Sequence, residues 1–198
     1  MARTPNSRKE DTHEHILDVA ARAIRRDGYA GVRVADVMKE AGLTHGGFYA
    51  HFQSRDALLV EALARAGRDS ATAVARAAEA RRSRGVSAFR SLVETYLADR
   101  HLGSMDSGCP VAALGCEMPR QSKAVREASA LRVERLIAAV RETLPGVSRS
   151  TACFITSALV GSLQLARALG DNEDGRAVLT ATRKSLLQRY DTSATAAH

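Results

Sequence analysis

The 198-residue sequence has no tryptophan, and aromatic residues supply only 4% of it. A core without large rings must be built from Ala, Leu and Val, a composition that favours helix over strand. Proline is scarce as well: Pro5, Pro110, Pro119 and Pro145 leave long stretches free of helix breakers. Cysteine occurs three times, as Cys109, Cys116 and Cys153. The odd count, without a signal-peptide pattern, is expected of a cytoplasmic protein in a reducing compartment. No apolar run is expected to reach the roughly 18 residues of a membrane span, since Thr156, Ser157, Ser162, Gln164 and Arg167 interrupt the longest candidate. Internal repeats, alternating strand patterns and glycine-rich phosphate loops are absent, which points to an all-α fold.

Charge of one sign is not concentrated where it would be most telling. The formal net charge is +7, which permits a nucleic-acid partner without requiring one. Residues 1–60 hold nine Lys/Arg against eight Asp/Glu, while residues 61–198 hold twenty against fourteen. Arg3, Arg8 and Lys9 do cluster at the start. That arm either follows a nucleic-acid groove or is a solvated tail.

Apolar residues recurring at spacings of three and four predict about nine helices. Ile16, Val19, Ala20, Ala23 and Ile24 mark a helix from about Arg8 to Asp27, stopped by Gly28. Val34, Val37 and Met38 mark a short one ending at Gly42. Thr44 is placed to cap a very short third helix, with Phe48 and Phe52 inward, and Ser54 to cap a long helix to about Arg82. Further helices are expected over about Val86–Leu102, Pro110–Glu117, Ser122–Leu144, Arg149–Leu169 and Glu173–Tyr190. The helix after Ser148 is apolar almost all round, as expected of a helix covered on more than one side.

The stretch from Val34 to Leu59 reads as a helix-turn-helix followed by a connecting helix. Its middle helix begins with small and hydrogen-bonding residues, which suits a probe for the DNA major groove. The segment GLTHGGFYAHFQSRDALL, with its small-residue turn, Tyr, His-Phe pair, Ser and Leu, resembles the signature of the tetracycline-repressor (TetR) family of bacterial regulators. The stretch GCPVAALGCE is similar to one found in a subset of them.

The resemblance implies a DNA-binding domain over residues 1–54 and an effector-binding and dimerisation domain over 55–198. It implies a homodimer formed through the last two helices (about 149–169 and 173–190), bound to a palindromic double-stranded DNA operator and released by a small-molecule effector. The family's operator contacts fall on Thr44, His45, Gly46, Gly47, Tyr49, His51 and Arg55. Tyr49 and His51 can donate to phosphates, and the glycines let the backbone approach the groove. Base reading by Thr44, His45 or Gly47 competes with recognition of DNA shape. Two positions depart from the family pattern. Arg33 stands where a capping Thr or Ser is common, and could reach a phosphate itself; His45 stands where Lys is common.

Cys109 precedes Pro110 at a helix start, where the local field can activate a thiol. Cys116, seven residues on, lies about 10 Å further along a regular helix, too far for a disulfide without rearrangement. Cys109 and Cys116 are therefore either an electrophile or oxidant sensor or two small packing residues; Cys153 is expected to be inert. Glu94, Glu117 and Glu134 either face an effector pocket or lie on solvated faces. A pocket lined by Leu, Val, Ala and Met would suit an apolar molecule.

The function expected is a ligand-responsive transcriptional repressor without cofactor or metal. Its rivals are a thiol-sensing repressor, an activator-type DNA-binding protein without a ligand switch, and a small transferase using Cys109, which lacks a matched base.

Overall fold

In the computed structural model, residues 5–191 are described. They form nine α-helices and two short 3-10 helices, with no strand among them. The arm residue Arg3 and the tail from Thr192 lie outside the described residues.

Helix α1 (Pro5–Gly31) keeps Ile16, Val19, Ala20, Ala23 and Ile24 on its buried side, and its helical backbone breaks at Gly28 (φ 71°, ψ −179°). Helix α2 (Val34–Glu40) buries Val37 and Met38. Helix α3 (Arg55–Arg82) starts where Ser54 accepts a hydrogen bond from the Ala57 N–H at 3.1 Å, the cap expected there. At 28 residues it runs about 42 Å. Its first half, through Ala66, belongs to the core, while its second half stands mostly exposed. It packs on α1 at one end and on α4 (Ala88–Tyr96) and α7 (Lys123–Thr143) beyond, so one rod joins the N-terminal helices to the rest.

The single helix expected over Val86–Leu102 is two: α4 and the short α5 (Arg100–Gly103). The break falls at Leu97, whose backbone leaves the helical region (φ −99°, ψ 27°). The Leu97 carbonyl accepts from Arg183 Nη1 at 3.1 Å, and the same guanidinium pairs with Asp99 at 3.1 Å. A partner 86 residues away thus satisfies the group that a continuous helix would have used. Helix α6 (Pro110–Leu114) starts on its proline as expected.

Helices α8 (Arg149–Leu169) and α9 (Glu173–Tyr190) close the chain and pack on each other, α8 also on α6 and α7. By length and composition α8 is long and apolar enough to cross a membrane, which corrects the expectation that no run qualifies: scattered Ser and Thr lower the average too little. In this fold Ala152, Ile155, Leu159, Leu163 and Ala166 form its buried stripe. A second stripe, at 154, 158, 161, 165 and 169, lies largely outside the chain's own core, with only Ala158 packed against its edge. Within it Phe154, Leu165 and Leu169 are exposed.

Candidate nucleic-acid interface

The turn between α2 and the 3-10 helix His45–Ala50 is closed by Leu43 N–H donating to the Met38 carbonyl at 2.8 Å. Phe48 and Phe52 are buried and stack on each other (centroids 5.5 Å, 25°), and the His13 ring stacks on Phe52 at 4.5 Å. These rings anchor the stub from beneath. Tyr49 packs its edge on Phe48 at 5.2 Å yet stays 70% exposed, with its hydroxyl available to a partner. Thr44, His45 and Gly46 are exposed beside it.

Thr44 does not cap as expected. The element is a tight 3-10 turn, in which the Gly47 N–H donates to the Thr44 carbonyl at 3.1 Å and the hydroxyl accepts nothing from the first turn. That hydroxyl is thereby left available outward. A Cβ added at Gly46 would meet nothing within 4 Å, and one at Gly47 would make ordinary contacts with Met38 Cε (3.7 Å) and Thr44 Oγ1 (3.8 Å). Neither glycine is required by the chain's own packing. Arg33 is exposed at the start of α2, where it does not cap.

Two expected contact residues sit differently. Arg55 is half-buried and turned inward: its Nε donates to the Val32 carbonyl at 2.9 Å and its Nη2 to the Tyr29 carbonyl. These two donors form a strap holding the start of α3 to the loop between α1 and α2. His51 is half-buried, and its Nδ1 is buried without a hydrogen-bond partner. Burial, then the nearby His13 and Lys9, push its pKa below the usual 6.5. His101, in α5, is lowered likewise, first by burial and then by Arg100 and Arg167.

Both imidazoles are therefore held neutral. Their contribution to stability is full above the unfolded-state value of about 6.5 and is lost as pH falls below it, because the unfolded chain takes up the protons first. Thermal unfolding should be flat above about pH 7 and drop towards about pH 5.5, and His51→Gln should flatten part of that drop. A midpoint that rises on acidification would contradict the burial of these rings.

Sequence reasoning missed the contacts that join this unit to the remainder. The Arg25 side chain is only 6% exposed; its Nε donates to the Asp106 carbonyl at 2.7 Å and its Nη1 to the Ala66 carbonyl at 3.3 Å. Tyr29 N–H donates to Glu117 Oε2 at 3.0 Å, and its hydroxyl lies 3.0 Å from Ser129 Oγ. Glu117 is thereby taken up structurally. Glu94 pairs with Arg81 and Arg90, and Glu134 with Arg149, so neither serves a pocket.

A cavity of about 220 Å³ lies where α1, α3, α4 and the 100–109 segment meet. Its lining is polar as well as apolar: Arg25, Asp69, Thr95, Tyr96, Arg100, His101 and Cys109 stand beside Ala73 and Val74. Long polar side chains from three elements converge here, which periodicity within one element cannot reveal. Cys109 is buried, Cys116 exposed and Cys153 half-buried, all as free thiols. Among the described residues no group of three or more His, Cys, Asp or Glu side chains could hold a metal ion.

Residues 16–62 match the family model described as bacterial regulatory proteins, tetR family. Over 61 residues the chain is 36% identical to the HTH-type transcriptional regulator AcrR of Shigella flexneri, covering 31% of this chain and 28% of that protein. Over 79 residues it is 34% identical to the HTH-type transcriptional regulator TtgR of Pseudomonas putida, covering 40% and 37%. The matches thus span less than two fifths of these relatives' length. The whole fold is similar to that of a TetR transcriptional regulator from Chloroflexus aurantiacus, with a TM-score of 0.71, 18% identity, and coverage of 92% of this chain and 97% of that one.

Proposed function

We propose that this chain, which belongs to the TetR family of transcriptional regulators, is a ligand-responsive repressor that grips a palindromic operator as a homodimer. The observation that carries the reading is the stub at 44–50: a ring-anchored turn of small residues with Tyr49 standing 70% exposed at its surface. Tyr49 donates to a phosphate. Thr44 and His45 lie at base edges, Gly46 and Gly47 admit the duplex, and Arg33 reaches the backbone. His51 supplies one neutral N–H rather than a charge. The outward stripe of α8, with Phe154, Leu165 and Leu169, supports pairing of α8 and α9 with those of a second copy. The dimer would hold two stubs about 34–36 Å apart, one helical turn of the duplex.

Effector binding in the cavity shifts the contacts of Arg25 and Tyr29 with the 106–129 region, and with them the stub spacing. A coupling of roughly 1–3 kcal/mol is the scale needed.

The test uses an operator selected from random palindromic duplexes. Tyr49→Phe should weaken binding by about 0.5–1.5 kcal/mol, the scale of one hydrogen bond. Gly47→Ala should weaken it while leaving thermal stability unchanged or raised, since the fold has room for the methyl group. Affinity should fall with salt by about 0.9 log unit per phosphate neutralised per log unit of salt. A flat salt response, with both variants binding like the wild type, rules the reading out.

A second reading makes Cys109 the sensor. It is favoured by the thiol's place on the cavity wall beside Tyr96, with Arg132 and Arg167 close enough to act on it. Operator release by an alkylating agent in the wild type but not in Cys109→Ser would select it.

A further inference from the structure

The cavity beside α5 carries more positive charge than its own carboxylates balance. Its one acidic side chain, Asp69, is already engaged by Arg65 at 3.0 Å and by Arg25 at 3.7 Å. Arg100 stands exposed at the edge of the same space and, among the described residues, makes no ion pair. Arg132 and Arg167 lie near the Tyr96 and Cys109 side chains of the wall without lining the cavity themselves, and among the described residues neither makes an ion pair. Arg167 spends its Nε on the His101 carbonyl at 2.9 Å, while its Nη1 and the Nε of Arg132 are buried without partners. Cations drawn out of water without counter-charge are costly, and an anion brought among them relieves that cost.

Buried polar atoms on the wall are unspent too. Tyr96 is 5% exposed, and its hydroxyl has only the weakly hydrogen-bonding Cys109 thiol beside it, with no oxygen or nitrogen partner. His101 is 8% exposed; its neutral ring donates Nε2–H to the Thr95 carbonyl at 3.2 Å, so its unpartnered Nδ1 is an acceptor, suited to a hydroxyl on the ligand rather than to the anionic group. A buried hydroxyl left unmatched is the exception in folded proteins and calls for an occupant. Ala73 and Val74 supply an apolar patch opposite these groups. At about 220 Å³ the space lies below the roughly 300–1,000 Å³ of sites for drug-sized ligands, which limits the occupant to about one ring.

We propose that the cavity binds a small single-ring organic acid, its anionic group held by the Arg100 guanidinium and the Tyr96 hydroxyl in the field of Arg132 and Arg167. This rests on the repressor reading only in making that acid the effector; the binding site stands without it. Arg25 lines the same cavity and holds α1 to the Asp106 carbonyl, so an acid seated there competes directly for the side chain that joins the two halves.

The experiment is calorimetric titration of the full-length reduced protein with benzoate, phenylacetate, salicylate and 4-hydroxybenzoate, each beside its neutral amide, and with benzylamine as the cation. At least one carboxylate should bind about ten-fold or more tightly than its amide, and benzylamine should not bind. Arg100→Gln should weaken the acid about ten-fold. Tyr96→Phe, which removes only the hydroxyl and at most a weak contact with the thiol, should weaken it several-fold while leaving the melting temperature close to that of the wild type. Cys109→Ser should still bind.

Amides binding as well as acids, preference for benzylamine, or no carboxylate binding at millimolar concentration would overturn the inference. So would loss of binding in Cys109→Ser, since the charge would then serve the thiol. Operator release, measured separately, tells the two readings apart. Acid binding without release leaves the site and removes the switch. Operator binding by a protein that takes no acid does the reverse.

Discussion

Replacing Arg25 by methionine is expected to lower the unfolding free energy by about 2 kcal/mol, towards the low end of the scale for hydrogen bonds donated by a charged group. Methionine keeps most of the stem volume, so the loss isolates the guanidinium. Asp69 is not stranded, because Arg65 still holds it at 3.0 Å. The Ala66 carbonyl lies within α3 and retains its helical partner. The main casualty is the Asp106 carbonyl, which accepts from Arg25 Nε at 2.7 Å. Burial opposes the arginine's charge, which offsets part of the gain from these bonds and keeps the estimate at the low end. Urea denaturation should show a lower midpoint at unchanged slope. A loss below about 1 kcal/mol would mean that the buried guanidinium contributes no more than an exposed pair does.

The second large effect is expected at Gly28. Its φ of 71° with ψ −179° is a conformation that residues with a Cβ almost never adopt, at about 1–3 kcal/mol. A Cβ there would also collide with Glu117 Oε1. The carboxylate could swing away, but only by giving up the bond it accepts from Tyr29 N–H at 3.0 Å, worth about another 1 kcal/mol. Gly28→Ala should therefore cost about 3 kcal/mol. Glu117→Ala should cost about 1 kcal/mol alone and should reduce the penalty of Gly28→Ala when combined, leaving the backbone part. Full additivity in that double-mutant cycle would show that the two sites do not meet.

Both predictions fall on the seam between α1 and the 106–117 region, and neither was legible in the chain. Gly28 reads as a helix stop, and the helical backbone does break there, but nothing local shows that the distant carboxylate of Glu117 closes over it. Arg25 sits on a helix whose apolar spacing is satisfied without it. The stub was legible because its information is local: the small-residue turn, Phe48 and Phe52 four apart, and Ser54 before a long apolar period. The inward bonds of Arg55 were not legible, because their partners are not local. At the start of α3 it looks outward by position, and only the carbonyls of Tyr29 and Val32, brought over by the α1–α2 loop, turn it in. The break at Leu97 depends likewise on Arg183 from α9.

Helix identity, the bounds of α8 and α9, and the exposed Tyr49 follow from short-range rules, since spacing, caps and breakers act within a few residues of where they are written. Which guanidiniums are buried, which carbonyls they satisfy and which hydroxyl is left unmatched on a cavity wall depended on contacts between segments far apart in the chain. Those pairings belong to the packed arrangement, because a long charged side chain takes its partner from whatever the fold brings within about 3 Å of its tip.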